Sequence, residues 1–298
     1  MKKLRLLSGL LMVVLAARAQ ENLDSVKIVP HKVAENIYML FGSGGNIGVL
    51  TGRDGILMID DQFAPLSAKI REAILSLGHA EIRFLINTHI HGDHSGGNEN
   101  FKQIGVTVFA HDRVRERMMK EELNKTTNRT GPARDKDAWP VVTFSDRISF
   151  HLNNEDIDAF HITSGHTDGD VIVHFKKSNV FHMGDMFVRY GYPFIDISSG
   201  GGINGFIAYL DKILPLMDER SKVIPGHGDL ATKADVILFR DRLKDIRDQV
   251  AAALKKGKKI EEIPALGITD KYDAEWGKGF LKGKDFVLMI AENLSGKK

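Results

Sequence analysis

Four side chains that can bind a metal ion lie within six residues of the sequence, in the stretch THIHGDHSGG at residues 88–97. His89 and His91 are two residues apart, and side chains at this spacing on extended backbone point to the same side. Asp93 and His94 follow a glycine, where a turn is expected, and can therefore reach a second point nearby. Isolated histidines are commonly structural, but imidazole nitrogen and carboxylate oxygen at this density are typical ligands of zinc and related metals. The stretch predicts a metal site.

The pattern His-x-His-x-Asp-His resembles the signature of the metallo-β-lactamase superfamily. The resemblance implies three further ligand positions, and the sequence has a candidate for each: His166 in SGHT, Asp185 in MGD and His227 in PGHG. Each candidate follows an apolar, strand-like run, as expected for a ligand at the end of a strand. Since the four segments occur in the right order, roughly between residues 25 and 230, the chain is identified as a member of this superfamily.

The resemblance implies two zinc ions per chain. The first would be bound by His89, His91 and His166, the second by Asp93, His94 and His227, and Asp185 would bridge both. A bridging aspartate resembles the glyoxalase II, lactonase and phosphodiesterase-like branches, whereas some β-lactamase subclasses have a cysteine at this position. Di-iron members carry a glutamate where His91 stands here, so zinc is favoured, while iron and manganese stay open. Of the other histidines, only His182 lies near a ligand position in the sequence, and we expect a structural role for it.

The chemistry implied by the resemblance is hydrolysis by a metal-bound hydroxide, because coordination lowers the pKa of water to about 7. Asp93 would orient this hydroxide and accept its proton. Asp60, at the end of an upstream strand, matches the first motif of the superfamily and is expected to hold a ligand histidine in place; the alternative is an ordinary turn aspartate. Arg189 lies near the position of a lysine that binds the substrate carboxylate in similar β-lactamases, so it is either such an anchor or a solvated surface residue.

The elements that would position these residues read as strands joined by hairpins, followed by alternating strands and helices. The resemblance implies an α/β fold of the αβ/βα four-layer sandwich type, with two mixed β-sheets packed face to face and helices outside. The expected helices run over Leu66–Leu77, from Asp112 to about Leu123, over Phe206–Met217 with Asn204 as the N-cap, over Ala231–Lys256 and over Phe280–Leu294.

Two aromatic segments are candidates for the walls of the site. Residues 124–140 lose all periodicity, and Trp139 within them either fixes the loop to the core or forms an apolar lid over the metals. Tyr190, Tyr192 and Phe194 follow Asp185 and would form the opposite wall. Aromatic walls of low charge favour a compact apolar ring over a peptide or a nucleic acid.

Composition sets the limits of this interpretation. The chain has 298 residues, of which 43% are hydrophobic and 27% charged, with a net charge of +2 and no cysteine. Such a balance gives no electrostatic reason to expect nucleic acid or an anionic membrane as a partner. Residues 1–19 have a basic start, an apolar run and a small-residue end, which predict a signal peptide cut after Ala19. We therefore expect a hydrolase domain at 20–298 that is periplasmic or secreted, without stable membrane association; the oligomeric state stays open.

The function expected from these observations is an exported dinuclear zinc hydrolase that cleaves a small cyclic amide or ester, β-lactamase-like or lactonase-like. One alternative is a thioester hydrolase resembling glyoxalase II, in which Lys278, Lys282 and Lys284 would bind glutathione. A further alternative is a non-catalytic metal-binding accessory protein, although the complete ligand set argues against it.

Overall fold

The strands of this chain form two large sheets and one short hairpin. The computed structural model describes residues 23–78, 80–124 and 129–296, so the predicted signal peptide lies outside the described residues. The strands within this part of the chain are β1 Val29–Lys32, β2 Ile37–Phe41, β3 Ile47–Leu50, β4 Ile56–Ile59, β5 Ile82–Ile86, β6 Thr107–His111, β7 Glu122–Asn124, β8 Arg129–Gly131, β9 Val142–Phe144, β10 Arg147–Leu152, β11 Glu155–Phe160, β12 Ile172–Phe175, β13 Val180–His182, β14 Lys222–Ile224 and β15 Ala231–Thr232.

Both large sheets are mixed. The first has the order β1-β2-β3-β4-β5-β6-β9, antiparallel up to β4 and parallel from β4 onwards. The second has the order β10-β11-β12-β13-β14-β15, with one parallel pair, β13 and β14. A turn at residues 51–55 joins the antiparallel strands β3 and β4. Strands β7 and β8 pair only with each other.

Helices cover the outer faces of the sheets. The α-helices in the described residues are α1 Ser67–Leu77, α2 Gly92–Ser95, α3 Asn98–Gln103, α4 Asp112–Met118, α5 Ile203–Ile213, α6 Lys233–Lys255, α7 Asp270–Trp276 and α8 Gly283–Leu294. Short 3₁₀ turns lie at Ala64–Leu66, Lys136–Ala138, Gly184–Met186, Leu214–Leu216 and Ile260–Leu266. A search of the described helices finds none with the length and apolar character needed to cross a bilayer.

Alternation of apolar side chains along the strands builds the layers. In β4, Leu57 and Ile59 point inwards and pack in one cluster with Ile157 and Val173 of the second sheet. Their neighbour Met58 points to the other face, where it joins a cluster that includes residues of α1. On the far side, buried residues of β13 pack with those of α5, α6 and α8. The predicted fold, two mixed sheets face to face with helices outside, is therefore confirmed.

Several predicted helix boundaries were wrong. Helix α5 ends at Ile213 rather than Met217, and α6 begins at Lys233 rather than Ala231, because Ala231 and Thr232 pair with β14.

Three other boundaries also differ. Helix α4 ends at Met118 rather than near Leu123, because the chain turns there and the Met118 carbonyl accepts a hydrogen bond from the backbone of Arg134. Asn204 does not cap α5: it lies inside the helix and accepts a hydrogen bond from Arg247, while Gly202 is the N-cap residue.

The closing helix is the third boundary that differs. It begins at Gly283 rather than Phe280, because Leu281 forms an isolated β-bridge with Tyr192, which keeps the preceding segment extended. Phe280 is thereby left outside the helix with 74% of its surface exposed.

Candidate metal centre

The ends of several strands bring the predicted ligands together at one edge of the sandwich. His89, His91, Asp93 and His94 follow β5, and the last two lie in the single turn of α2. Asp185 follows β13 and His227 follows β14, and these two strands are parallel neighbours, so their carboxyl ends lie at the same edge. His166 lies in the connection between β11 and β12. Residues spread over 139 positions, from 89 to 227, thus form one centre.

Three imidazoles form the first ligand group. The nearest ligand atoms of His89, His91 and His166 all lie within 4.8 Å of one another. Nε2 of His166 is 2.9 Å from Nδ1 of His91. The His89 ring stands nearly perpendicular to the two other rings, at 83° and 88°. Rings arranged in this way direct nitrogen atoms at a common point rather than stacking face to face.

The second group combines two imidazoles with a carboxylate. The ligand atoms of Asp93, His94 and His227 also lie within 4.8 Å of one another. Nε2 of His227 is 3.3 Å from Oδ2 of Asp93 and 3.2 Å from Nε2 of His94.

Asp185 lies between the two groups. Its Oδ1 is 3.2 Å from Nε2 of His94, while its Oδ2 is 3.7 Å from Nε2 of His166. Gly226 makes this placement possible, since a Cβ atom there would lie 2.0 Å from Oδ1 of Asp185. One carboxylate therefore reaches both groups.

Hydrogen bonds on the far side of three ligand rings fix which nitrogen faces the centre. Nδ1 of His94 donates to Oδ2 of Asp60 over 2.7 Å, and Nδ1 of His166 donates to the Phe194 carbonyl over 2.7 Å. Nε2 of His91 donates to Oδ2 of Asp196 over 2.9 Å. In each ring the other nitrogen, which carries the lone pair, is then left facing the centre.

His89 is fixed by a relay through Thr88. The Thr88 hydroxyl donates to Oδ2 of Asp60 over 2.7 Å, so its oxygen accepts from Nδ1 of His89 at 3.0 Å. Nε2 of His89 then bears a lone pair, and it is buried without a hydrogen-bond partner among the described residues, as is Oδ1 of Asp185. Buried polar atoms normally have partners. Bare nitrogen and carboxylate oxygen directed at one another fit a bound cation, so the residues present fit a metal site.

Electrostatics support the same interpretation. Burial alone would raise the pKa of the Asp93 carboxyl, but its hydrogen bond with His227 and the charge of His94 lower that pKa to about 2. Asp185 behaves similarly: burial opposes its charge, yet His94 and His227 hold its pKa well below the usual value. Burial lowers the pKa of His166 to about 4 and that of His89 well below its usual value. Burial also opposes a charge on His94, but Asp185 and Asp60 raise the pKa of its ring well above the usual value. Buried carboxylates that stay charged in this way are suited to a divalent metal.

Comparison with known proteins identifies the family. The profile of the metallo-β-lactamase superfamily matches residues 40–230, which include every ligand candidate. The chain belongs to the metallo-β-lactamase superfamily. Membership makes it a metal-dependent hydrolase.

Relatives of more than one activity are found within this superfamily. The chain is 22% identical over 224 residues to a metallo-beta-lactamase type 2 of Bacteroides fragilis, a match that covers 72% of this chain and 84% of that protein. It is also 22% identical over 209 residues to the human acyl-coenzyme A thioesterase MBLAC2, covering 64% and 72% of the two chains.

Solved structures agree on the fold. The DIM-1 metallo-beta-lactamase matches with a TM-score of 0.59 at 18% identity, over 74% of this chain and 99% of that one. A metallo-beta-lactamase from Pontibacter korlensis matches with a TM-score of 0.59 at 15% identity, over 74% and 100%. At these identities the likeness shows the fold alone.

Not every residue predicted for the site lies at this superfamily centre. Tyr192 is fully buried, and its hydroxyl donates to Asp273, so it forms no wall of the site. Trp139 was expected either to fix its loop or to form a lid. It packs on Ile90, Ala110 and other buried residues and donates its Nε1 proton to the Arg134 carbonyl, so it fixes the loop.

Two further predicted residues have partners that the sequence did not suggest. Arg189 donates to the Leu230 carbonyl at 3.1 Å and lies 3.5 Å from a carboxylate oxygen of Asp235; its role as a substrate anchor stays a prediction. His182 is buried 3.1 Å from the Asn46 carbonyl and belongs to none of the ligand groups.

Sequence reasoning missed four residues that hold the centre. Thr88 and Asp196 orient ligand rings, and Asn46 donates to the carbonyls of Pro225 and Gly228 on either side of His227. Gly45 lies against His94, where a Cβ atom would come within 2.1 Å of the ring. A single polar residue in the apolar run 193–197 was a signal for Asp196. Nothing in the sequence pairs it with a histidine 105 positions away.

Proposed function

We propose that this chain is a dinuclear zinc hydrolase that cleaves the acyl carbon–nitrogen bond of a small cyclic amide or the acyl carbon–oxygen bond of a small cyclic ester. The observation that carries the proposal is the position of Asp185, whose two oxygens face two separate ligand groups. A carboxylate in that position is suited to a pair of ions rather than a single one. Imidazole-rich ligand sets favour zinc among the common divalent metals.

The bound metal pair would supply a strong nucleophile at neutral pH and polarise the carbonyl under attack. The residues of the chain do the rest. Asp93 is a carboxylate at neutral pH and keeps 28% of its side chain exposed, so it can orient the attacking water and receive its proton. Asp60, Asp196 and the Phe194 carbonyl prevent the histidine rings from rotating, so that the ligands do not have to reorganise during the reaction.

Aromatic side chains form one wall beside this centre. The Tyr190 ring lies 5.4 Å from that of His227, and the Phe194 ring lies 6.1 Å from that of His91. Phe280 extends the wall, since its exposed ring packs edge-on at 6.3 Å from Phe194. Such a wall would bind the apolar part of a compact substrate.

Thioester hydrolysis is the second candidate function. It is favoured by the similarity to an acyl-coenzyme A thioesterase and by the exposed Phe280, on which an acyl chain could pack. Glutathione recognition has less support, because the Lys282 ammonium donates to the carbonyls of Gly277 and Gly279 within its own turn.

We also propose that the chain is exported. The basic start and apolar run of residues 1–19 support this proposal. Fractionation of cells that express the full-length chain, with N-terminal sequencing of the product, is the test. A product that starts at Gln20 outside the cytoplasm is expected, and an uncut cytoplasmic product would contradict the proposal.

Metal content tests the ligand assignment. Elemental analysis of the purified chain should give two zinc ions, and His89→Ala or His227→Ala should reduce occupancy and activity together. Asp185→Asn should keep the fold but lower the affinity for the second ion, because a neutral amide bridges two cations poorly. His151→Ala is the matched control, since this histidine is 71% exposed and pairs with Asp156 far from the centre. Full occupancy in the ligand variants would contradict the assignment.

The substrate is tested with a panel run on zinc-loaded protein. Nitrocefin, an acyl-homoserine lactone, an acyl-coenzyme A thioester, S-lactoylglutathione and bis-p-nitrophenyl phosphate cover the reactions considered. Turnover of the lactam or the lactone is expected to be fastest and to be lost on treatment with EDTA. A preference for either thioester would favour the second candidate, and a preference for the phosphodiester would contradict both.

A further inference from the structure

A cavity of about 340 Å³ opens beside His91, on the side of this ring that faces Asp196. Three basic residues of its lining, Arg117, Lys120 and Arg134, come from the end of α4 and the segment after β8. Ser198 and Ser199 contribute polar groups from the opposite segment. We call this cavity the basic pocket.

Two of the basic side chains are held firmly in the wall of the basic pocket. Arg117 forms a bidentate ion pair with Asp168, with both nitrogen–oxygen distances at 2.8 Å. Arg134 donates to the Ile90 carbonyl at 2.6 Å and to the Ser95 carbonyl at 2.8 Å. Guanidinium groups stay charged under all ordinary conditions, so these contacts fix positive charge at defined points next to the ligand loop.

Lys120 differs from the two arginines. It is exposed at the rim, and no carboxylate of the described residues lies within ion-pair distance of its ammonium group. Asp196 is the one carboxylate among the described residues of the lining, and it is already engaged. It accepts from His91, from the Ser198 hydroxyl at 2.5 Å and from the Ser199 backbone at 3.0 Å. The pocket therefore presents a cationic group without a matching anion.

We propose that the basic pocket binds an anionic group of the substrate, a carboxylate or a phosphate, and that Lys120 is its specificity-determining contact. The inference rests on the proposed function and deepens it. His91 borders both the basic pocket and the aromatic wall, since it lines the pocket and its ring lies 6.1 Å from that of Phe194. A substrate whose carbonyl lies at the ligand groups could then place its apolar part on Phe194 and its anionic part beside Lys120. Amphiphilic substrates of this class include both carboxylated lactams and acyl thioesters of phosphorylated thiols.

Matched substrate pairs test the proposal by kinetics. One pair is a cephalosporin and its neutral methyl ester, and the other is an acyl-coenzyme A and the same acyl group on N-acetylcysteamine. In Lys120→Gln, the ratio of kcat/KM for the anionic member to that for the neutral member should fall about 10- to 150-fold, the range for one hydrogen bond to a charged group. Lys212→Gln removes the same charge from an exposed position on α5 and should leave the ratio as it is.

The two pairs identify the source of the anion. A fall confined to the cephalosporin pair assigns a carboxylate, and a fall confined to the thioester pair assigns a phosphate. An unchanged ratio in both pairs, with turnover retained, overturns the basic pocket as an anion site but leaves the proposed hydrolase function intact.

A binding measurement separates failure of the pocket from failure of the proposed function. If neither pair is turned over, lactams and acyl thioesters are rejected as substrates, and titration of the full metal-loaded chain with inorganic phosphate still tests the pocket. Weaker phosphate binding in Lys120→Gln than in Lys212→Gln would support the pocket, whereas equal binding in both variants would overturn it. Comparison of the melting temperatures of the two variants checks that both are folded.

Discussion

Replacement of Asp60 by asparagine is the sharpest test of how residues that hydrogen-bond to the ligand histidines control the metal centre. Asp60 is fully buried and adopts a left-handed backbone conformation with φ of 63°. Its carboxylate accepts three hydrogen bonds of 2.7 Å, from the backbone and hydroxyl of Thr88 and from Nδ1 of His94. One side chain thus fixes both His94 and, through Thr88, His89.

An asparagine at this position cannot satisfy the same three donors. If its oxygen keeps the Thr88 backbone, its amide protons face Nδ1 of His94, and two donors meet. His94 then moves its proton to Nε2, the nitrogen that lies 3.2 Å from Asp185, and its lone pair no longer faces the metal. An unmatched buried donor costs about 1–3 kcal/mol. Loss of a partner to a metal-binding histidine lowers affinity about 10- to 100-fold, which is about 1.4–2.7 kcal/mol. The two estimates overlap.

Competition against a chromophoric zinc chelator near neutral pH measures this loss. Asp60→Asn should bind zinc about 10- to 100-fold more weakly while its circular dichroism spectrum stays native. Asp61→Asn is the matched control: this neighbouring carboxyl is also buried, but it accepts from the Gly97 backbone rather than from a ligand histidine, and burial raises its pKa well above the usual value. Equal loss in both variants would mean that any polar change at this strand end disturbs the centre. Unchanged affinity in Asp60→Asn would refute the argument from proton positions.

Three further predictions address the walls and the stability of the domain. Phe280→Ala should raise KM for substrates with large apolar groups severalfold while leaving the melting temperature unchanged, because the ring is 74% exposed. An equal change in KM for small substrates would show that Phe280 is not part of the aromatic wall. Arg189→Ala should raise KM for anionic substrates and spare neutral ones if this residue is a second anchor, and equal effects on both would reject that role. Burial lowers the pKa of His174 from 6.5 to about 4, so between these values the unfolded chain binds a proton that the folded chain does not. Acid should therefore destabilise the wild type relative to His174→Gln by about 1–2 kcal/mol near pH 4, after allowing for solvent screening of a half-buried ring. Denaturant titrations in which the two proteins keep a constant difference in unfolding free energy from pH 7 to 4 would contradict this assignment.

The sequence predicted those parts of the molecule that are set by local patterns. Strand β4 and the strand that carries the ligand loop were predicted correctly because their apolar runs and flanking turns are local signals. The C-terminal end of α4 and the start of α8 were predicted wrongly, because they depend on contacts with Arg134 and Tyr192, which are distant in the sequence. Tertiary contacts of this kind produce no periodic pattern in the sequence.

The candidate site divides in the same way. Ligand residues lie in short motifs, so a single sequence is enough to propose them. The groups that orient the ligand rings are scattered: Asp60 is 34 positions from His94, and Asp196 is 105 positions from His91. Tyr192 was assigned to the wall from its place in an aromatic loop, but alternation along that segment turns it into the core. Only the folded chain shows which aromatic side chains face the centre.

The placement of ligands and walls explains how one centre can serve several substrates. His89, Asp185 and His227 follow strands of two packed sheets, and the hydrogen bond from Nδ1 of His89 to the Thr88 hydroxyl holds the His89 ring. The two residues that we propose to contact the substrate instead lie in connecting segments, with Lys120 after α4 and Phe280 before α8. Substitutions in those segments should leave the strands and the ligands in place. Substitutions of residues that hydrogen-bond to the ligands should instead move the ligands themselves. Exchange of residues 277–282 or of the segment around Lys120 should therefore alter which substrate is preferred while zinc affinity stays constant, and a parallel loss of zinc would show that walls and centre are not independent.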